Sequence, residues 1–260
     1  MNRAVSHDFP KGVALIFGGS GGIGRGVALT FAREGCPVAI AYHSKKEVAE
    51  QTAAEIRALG VEVSIHQGDV RDPEQVRALV SAATEKHGRV HTMVWGAGPV
   101  VPQYPIASWT DEQFRNSIEI EAFGFHHAVR ALIPHMRENG GGSFVHLGSA
   151  GHDWWPHLDG LSVAPKAVNE ALVKGIAKEE GIHEIRANTV LVGVIDAGQF
   201  KVGQAAGDFD EAWETAVKAM LPIKRWGAAE DIGNAAVFLA SNRANYITGQ
   251  TISVAGGFGV

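Results

Sequence analysis

Val13-Ala14-Leu15-Ile16-Phe17 runs straight into Gly18-Gly19-Ser20-Gly21-Gly22-Ile23-Gly24. The first run is short and continuously apolar, as a strand buried on both faces of a parallel sheet must be. The second holds Gly19, Gly21 and Gly24 at Gly-x-Gly-x-x-Gly spacing, and Gly18, Gly22 and Gly24 at the wider Gly-x-x-x-Gly-x-Gly spacing. An amphipathic stretch from Ile23 to Glu34 follows, with Gly35 placed to cap its end. Strand, glycine loop and helix N-terminus in that order make an anion cradle. Missing side chains let a phosphate approach the backbone, and the first helical N–H groups meet it at the positive end of the helix dipole. The stretch predicts that Gly18, Ser20, Gly21, Gly22, Ile23 and Gly24 hold the pyrophosphate of a nicotinamide dinucleotide.

Outward from this loop the chain alternates β-branched runs with amphipathic ones. Strands are expected at Val38 to Tyr42, Val61 to His66, Val90 to Trp95, Ser143 to Leu147, within Glu184 to Leu191, and near Gln250 to Val254. Helices are expected at Lys45 to Leu59, after the Asp72-Pro73 start signal, from the Thr110 to Gln113 capping box towards Arg137, over Ser162 to Glu180, and near Glu230 to Ala240. Such alternation implies βαβ units and a single doubly wound α/β domain of the Rossmann type, a three-layer αβα sandwich over residues 11–260. Residues 1–10 read as a loose leader. The segment from Asp196 to Leu221 breaks the alternation. It reads as a lid over the site, with a surface helical hairpin as the alternative.

The bulk numbers exclude several functions. A net charge of -5 without a basic run argues against nucleic acid or an anionic membrane as partner. No stretch approaches the about 18 apolar residues of a spanning helix. One cysteine, Cys36, cannot make an internal disulfide, so a reducing cytoplasm is expected, with Cys36 a buried bystander. No His-Glu-x-x-His or cysteine-rich pattern predicts a metal.

The end of the second strand tells which dinucleotide is preferred. An acid there would bind the ribose 2′-hydroxyl of NAD. The chain instead has His43, Ser44 and Lys45, with no acid before Glu47. These residues suit a 2′-phosphate, so NADP is favoured over NAD; the alternative is that Lys45 is only the solvated start of a helix.

Further motifs fall in one order: Asp69-Val70, Gly96-Ala97-Gly98, Ser149, Lys166, Val192-Gly193, and Leu221 to Gly227 leading to Tyr246-Ile247-Thr248-Gly249-Gln250 and Ala255-Gly256-Gly257. Together they resemble the short-chain dehydrogenase/reductase family in its branch of about 250 residues, from Lys11 to Gly257. The resemblance implies hydride transfer between a nicotinamide cofactor and a carbonyl or alcohol, usually in a dimer or tetramer. It implies that Asp69, Val70, Gly96, Ala97, Gly98, Lys166, Gly193 and Ile195 contribute to the cofactor site. The family works with an Asn-Ser-Tyr-Lys set, and here the match is partial. Ser149 and Lys166 stand in place, but the tyrosine position, four residues before Lys166, holds Ser162. The asparagine falls on Glu121, and the threonine that meets the nicotinamide amide falls on Ala197.

These departures change the chemistry. A serine hydroxyl is a far weaker acid than a phenol with its pKa of about 10, so Ser162 is a poor proton donor. Glu121 is expected to pair with Lys166 and keep it protonated. His152 and His157, on the loop before Ser162, are alternative acids or bases. Trp154 and Trp155 on the same loop suggest an apolar or aromatic substrate. Three readings stand side by side: an oxidoreductase with a replaced proton donor, a dinucleotide-binding sensor or partner protein without turnover, and non-redox acid/base chemistry on the same scaffold. The helices Thr110 to Arg137 and Ser162 to Glu180 carry apolar residues on more than one face, so a homo-oligomer is expected, a tetramer or dimer.

Overall fold

The computed structural model describes residues 8–260. Seven parallel strands form one sheet in the order β3-β2-β1-β4-β5-β6-β7. They are β1 (Val13–Phe17), β2 (Val38–Tyr42), β3 (Val63–Gln67), β4 (Val90–Trp95), β5 (Gly142–Ser149), β6 (Ile185–Val192) and β7 (Thr251–Val254). β1, β2 and β4 are buried along their whole length, which explains their unbroken apolar runs. Alternate residues of β1 feed opposite layers. Ala14 and Ile16 join a core with Val27, Phe31, Ala53 and Ile232, while Val13, Leu15 and Phe17 join one with Val80, Phe125, Leu132 and Ile176.

The first layer is built by α1 (Gly22–Arg33), α2 (Lys46–Ala58) and α9 (Ala229–Ala240). The second holds α3 (Pro73–His87), α4 (Asp111–Ile118), α5 (Gly124–Glu138) and α6 (Gly160–Glu180). Asp72 caps α3 by accepting the N–H groups of Glu74 and Gln75, and Thr110 and Gln113 form the expected capping box at α4. The helix expected to run unbroken towards Arg137 is instead divided. A π-helical turn, Glu119–Phe123, joins α4 to α5. In that turn the Glu121 carbonyl accepts the Asn169 side-chain N–H at 3.1 Å, from α6, besides the Gly124 N–H.

The segment from Asp196 to Leu221 contains two helices, α7 (Gln199–Ala206) and α8 (Glu211–Met220), of which only the second had a clear amphipathic signal. Phe200, Phe209, Trp213 and Trp226 pack ring on ring and hold this hairpin together. Most of the leader expected over residues 1–10 lies outside the described residues. Its last part is packed: Phe9 meets the rings of Phe31 and His91, and the Asp8 carbonyl accepts the Asn242 N–H. Cys36 is buried, and burial pushes its thiol up to about 12, so it stays an unreactive thiol near neutral pH. Among the described residues no helix is long and apolar enough to cross a membrane, and no cluster of His, Cys, Asp or Glu gathers in metal-binding geometry.

Candidate functional site

In an open parallel sheet, strand order reverses where two chain halves diverge, and ligands bind beyond the strand ends there. Here that point lies between β1 and β4. Gly18 and Gly96 follow those strands and touch: a Cβ on Gly18, whose φ is +74°, would come within 2.4 Å of the Gly96 carbonyl oxygen. Gly24 closes the loop from below, since its Cβ would lie 2.3 Å from Gly18 O. Gly21 N–H donates to Gly18 O at 2.8 Å, which turns the chain into α1. No side chain caps α1 and its first turn holds no acid, whereas α3, α4 and α8 are capped by Asp72, Thr110 and Asp210. The uncapped, glycine-lined N-terminus fits an anionic diphosphate, which would lie across Gly21, Gly22 and Ile23. Ser20 is buried beside it.

At the end of β2, His43, Ser44 and Lys45 are all exposed. His43 Nε2 stands 3.7 Å from an Asp69 oxygen. That carboxylate is held mainly by Arg71, which keeps it below the usual carboxylate range. The acid at the end of β3 is thus already neutralised, and the rim at β2 is left basic. Val70 lies beneath, where its carbonyl accepts His127 Nδ1–H at 3.0 Å.

The other end of the crevice is built by β4, the π turn, β5 and α6. Glu121 is 2% exposed and accepts a hydrogen bond from the Lys166 ammonium. Trp95 Nε1–H donates to the second Glu121 oxygen at 3.4 Å. The pair therefore forms as expected, and its side chains are 18% and 2% exposed. Gly98 lies directly over it: a Cβ there would come within 2.5 Å of Glu121 Oε1. Lys166 also reaches the Ser162 carbonyl at 3.4 Å. Ser149 ends β5, and its Oγ accepts the Gly151 N–H at 3.1 Å. The structure thus brings Ser149, Ser162, Lys166 and Glu121 around the ends of β4, β5 and α6.

The two loop histidines part company. His152 points back into the domain: Nδ1 meets Glu170 of α6, and Nε2 donates to the Val163 carbonyl at 2.9 Å. Burial works against its charge, but the Glu170 hydrogen bond and the carbonyl outweigh it and raise the imidazole above its ordinary value. With both nitrogens occupied His152 has none free for a substrate, contrary to its expected place on the pocket wall. His157 is exposed on the loop. Gly193 packs on Ala255, where a Cβ would lie 2.6 Å from Ala255 Cα. Ile195 is buried and bridges to Gly227. Beyond Ile195 the backbone passes against the glycine loop, with Gly198 N only 2.3 Å from where a Gly22 Cβ would sit.

One residue at this end escaped the sequence reading. Asp159 sits at the start of α6, where an aspartate ordinarily caps the helix. Its side chain makes no cap; it accepts Gln103 Nε2–H at 2.9 Å instead. Burial pushes its carboxyl above the usual range, against the Gln103 hydrogen bond and the Lys166 charge that pull it back. The only sequence signal was an acid three positions before Ser162.

A doubly wound parallel sheet with an uncapped glycine cradle at its switch point defines a Rossmann-type nucleotide-binding domain. A family profile described as enoyl-(acyl carrier protein) reductase matches residues 18–259. The chain belongs to the short-chain dehydrogenase/reductase family. The 3-oxoacyl-(acyl-carrier-protein) reductase FabG of Staphylococcus aureus is 31% identical over 244 residues, which cover 94% of this chain and 96% of the relative. L-rhamnose 1-dehydrogenase (NAD(P)(+)) of a Sphingomonas species is 34% identical over 248 residues, 94% of each chain. A solved 7 alpha-hydroxysteroid dehydrogenase complexed with NADH and 7-oxo glycochenodeoxycholic acid superposes with a TM-score of 0.87 at 28% identity, covering 99% of this chain and 98% of that one. These relatives are oxidoreductases.

Proposed function

We propose that this protein is an NADP-dependent oxidoreductase of the cytoplasm that interconverts a carbonyl and an alcohol with a proton donor other than tyrosine. The observation that carries the reading is the uncapped N-terminus of α1, set in glycine at the switch point. The basic, acid-free end of β2 supports NADP over NAD, with His43, Ser44 and Lys45 around the 2′-phosphate. Lys166, paired with Glu121, would hold the nicotinamide ribose, and Ser149 would orient the substrate oxygen. When bound, the reduced cofactor supplies hydride. The protein supplies position, charge and the proton. Val100, Tyr104, Ile106, Trp154 and Trp155 are exposed on the loops after β4 and β5, which favours an apolar or aromatic substrate. The contact between Gly198 and Gly22 favours a lid role for α7 and α8 over a bystander hairpin.

Fluorescence titration with NADPH and NADH tests this reading, with tighter binding of NADPH expected. Failure to bind either would overturn it. Oxidation of bound NADPH by an aromatic ketone then separates an enzyme from a sensor protein that binds without turnover. The second reading is favoured by one observation, the serine at position 162. A homo-oligomer, tetramer or dimer, is part of the proposal, since Phe123 and Val168 are exposed apolar residues on the faces that pair subunits in the family. Light scattering at a monomer mass would remove that part.

A further inference from the structure

Replacing tyrosine by serine leaves a carbonyl reductase in need of an acid within reach of the substrate oxygen. Ser162 cannot supply it, His152 is tied on both nitrogens, and Lys166 is held by Glu121. Asp159 is the residue at which α6 begins, and Ser162 and Lys166 follow it three and seven positions on, within the first two turns of the helix. The Asp159 carbonyl accepts the N–H groups of Ser162 and Val163 at 3.0 and 3.1 Å, which fixes it one turn above the tyrosine position. Resting on the dinucleotide reading above, we propose that Asp159 is the proton donor that replaces the missing phenol.

The local structure is built to hold this carboxyl away from the helix end. Leu158, just before it, has φ +68°, a left-handed conformation costly for a branched side chain. The strain is held in place by Tyr104 N–H, which donates to the Leu158 carbonyl at 3.1 Å, and by Gln103 on Asp159 itself. Two adjacent residues of the loop after β4 thus pin two adjacent residues before α6. The indoles of Trp109 and Trp155 close on Gly160, the next residue: a Cβ there would come within 2.5 and 2.7 Å of them. This apolar cover beside Asp159 disfavours its anion, the physical route by which a carboxylic acid stays protonated enough to donate. Lys166 is the charged group that acts on Asp159, and Glu121 already neutralises it. On its own loop Asp153 and His157 face solvent, and the charge of His152 is paired with Glu170.

The step balances simply. A bound reduced nicotinamide would supply the hydride that the carbonyl carbon takes, and would leave oxidised. The O–H bond of Asp159 breaks as its proton passes to the carbonyl oxygen, giving the alcohol. The resulting carboxylate keeps the Gln103 hydrogen bond and regains a proton from water.

The test uses the full chain with NADPH and ethyl benzoylacetate. Asp159→Asn keeps an acceptor for Gln103 but has no acidic proton. Turnover is expected to fall by about 100-fold or more, the usual worth of a general acid, with the NADPH dissociation constant unchanged. Gln103→Leu removes a hydrogen bond that favours the anion, so the alkaline limb of the pH–rate profile moves to higher pH. A merely structural role for Asp159 would not move it. Independently of turnover, the carboxyl stretch of wild-type protein, assigned by difference from Asp159→Asn, should show a protonated acid above the ordinary aspartate range. Wild-type turnover in Asp159→Asn, or a carboxyl that titrates at the ordinary value, overturns the proposal while NADPH binding leaves the dinucleotide reading standing. Absence of NADPH binding overturns both.

Discussion

The two ends of the crevice answer different demands. At the phosphate end, Gly18, Gly22 and Gly24 bring backbone against backbone, and function rests on the absence of side chains. At the far end, function rests on which side chains are present, and there Ser162, Glu121 and Asp159 depart from the family pattern or extend it. Binding a diphosphate asks for geometry that few substitutions can imitate. Delivering a proton asks only for an acid of suitable strength in reach, which several residue types can satisfy. The contrast teaches why residues at the far end can vary within a family while the glycine loop stays recognisable.

The largest effect should come from the far end. Glu121→Ala leaves the Lys166 ammonium beside the space that its carboxylate filled, with the Ser162 carbonyl as its remaining partner among the described residues. Breaking a buried pair in this way costs about 3 kcal/mol or more. Urea unfolding checks it. A loss below about 1 kcal/mol would mean that the pair behaves like a surface contact, and the far end would then be less tightly built than the contrast requires.

Gly24→Ala probes the phosphate end. Its Cβ would meet Gly18 O at 2.3 Å and Gly18 C at 2.8 Å, both backbone atoms that cannot swing aside. Overpacking of this kind costs about 1–3 kcal/mol of stability, and the displaced loop should weaken NADPH binding by at least tenfold. Calorimetry separates the two effects. Unchanged NADPH affinity would show that the cradle tolerates side chains after all.

The fold was legible where burial dictated composition. β1, β2 and β4 are fully buried, and their ends follow their apolar runs. Asp72-Pro73 and the Thr110 to Gln113 box marked helix starts because caps are local chemistry. The π turn at Glu121 carried no such signal, since it depends on Asn169 from a helix far along the chain. At the site, glycine spacing identified the cradle, and the Glu121–Lys166 pair followed from family geometry. The direction of His152 did not, because Glu170 and the Val163 carbonyl decide it. Asp159 lay outside the helix expected from Ser162, and nothing local marked it. Only the fold shows that Gln103 turns its side chain elsewhere.

Acid should act on the buried histidines of the sheet, of which His91 lies away from both ends of the crevice. His91 is buried and lowered to about 3 by burial and then by Arg89, and His146 lies well below its ordinary value through burial, Lys166 and His152. Both stay neutral when folded but take up a proton when unfolded below about pH 6.5. The unfolded state then binds more protons, so stability falls as pH drops from about 6.5 towards 3. At about pH 5 His91 contributes a loss of about 2 kcal/mol, and His146 acts in the same direction. His91→Gln should flatten the acid limb of a stability–pH curve. An unchanged limb would assign the acid sensitivity to the paired carboxylates instead.

The smallest effect tests whether the phosphate end is as specific as it is well formed. Lys45 is exposed, so its contact with a 2′-phosphate would be partly screened by salt. Lys45→Ala should lower the preference for NADPH over NADH by about tenfold, or about 1 kcal/mol, and the difference should shrink at high ionic strength. NADH affinity should not change, because only NADPH carries the group that Lys45 meets. If the ratio of the two dissociation constants stays fixed, Lys45 is simply the solvated start of α2. Discrimination would then rest on His43 and Ser44, or be absent.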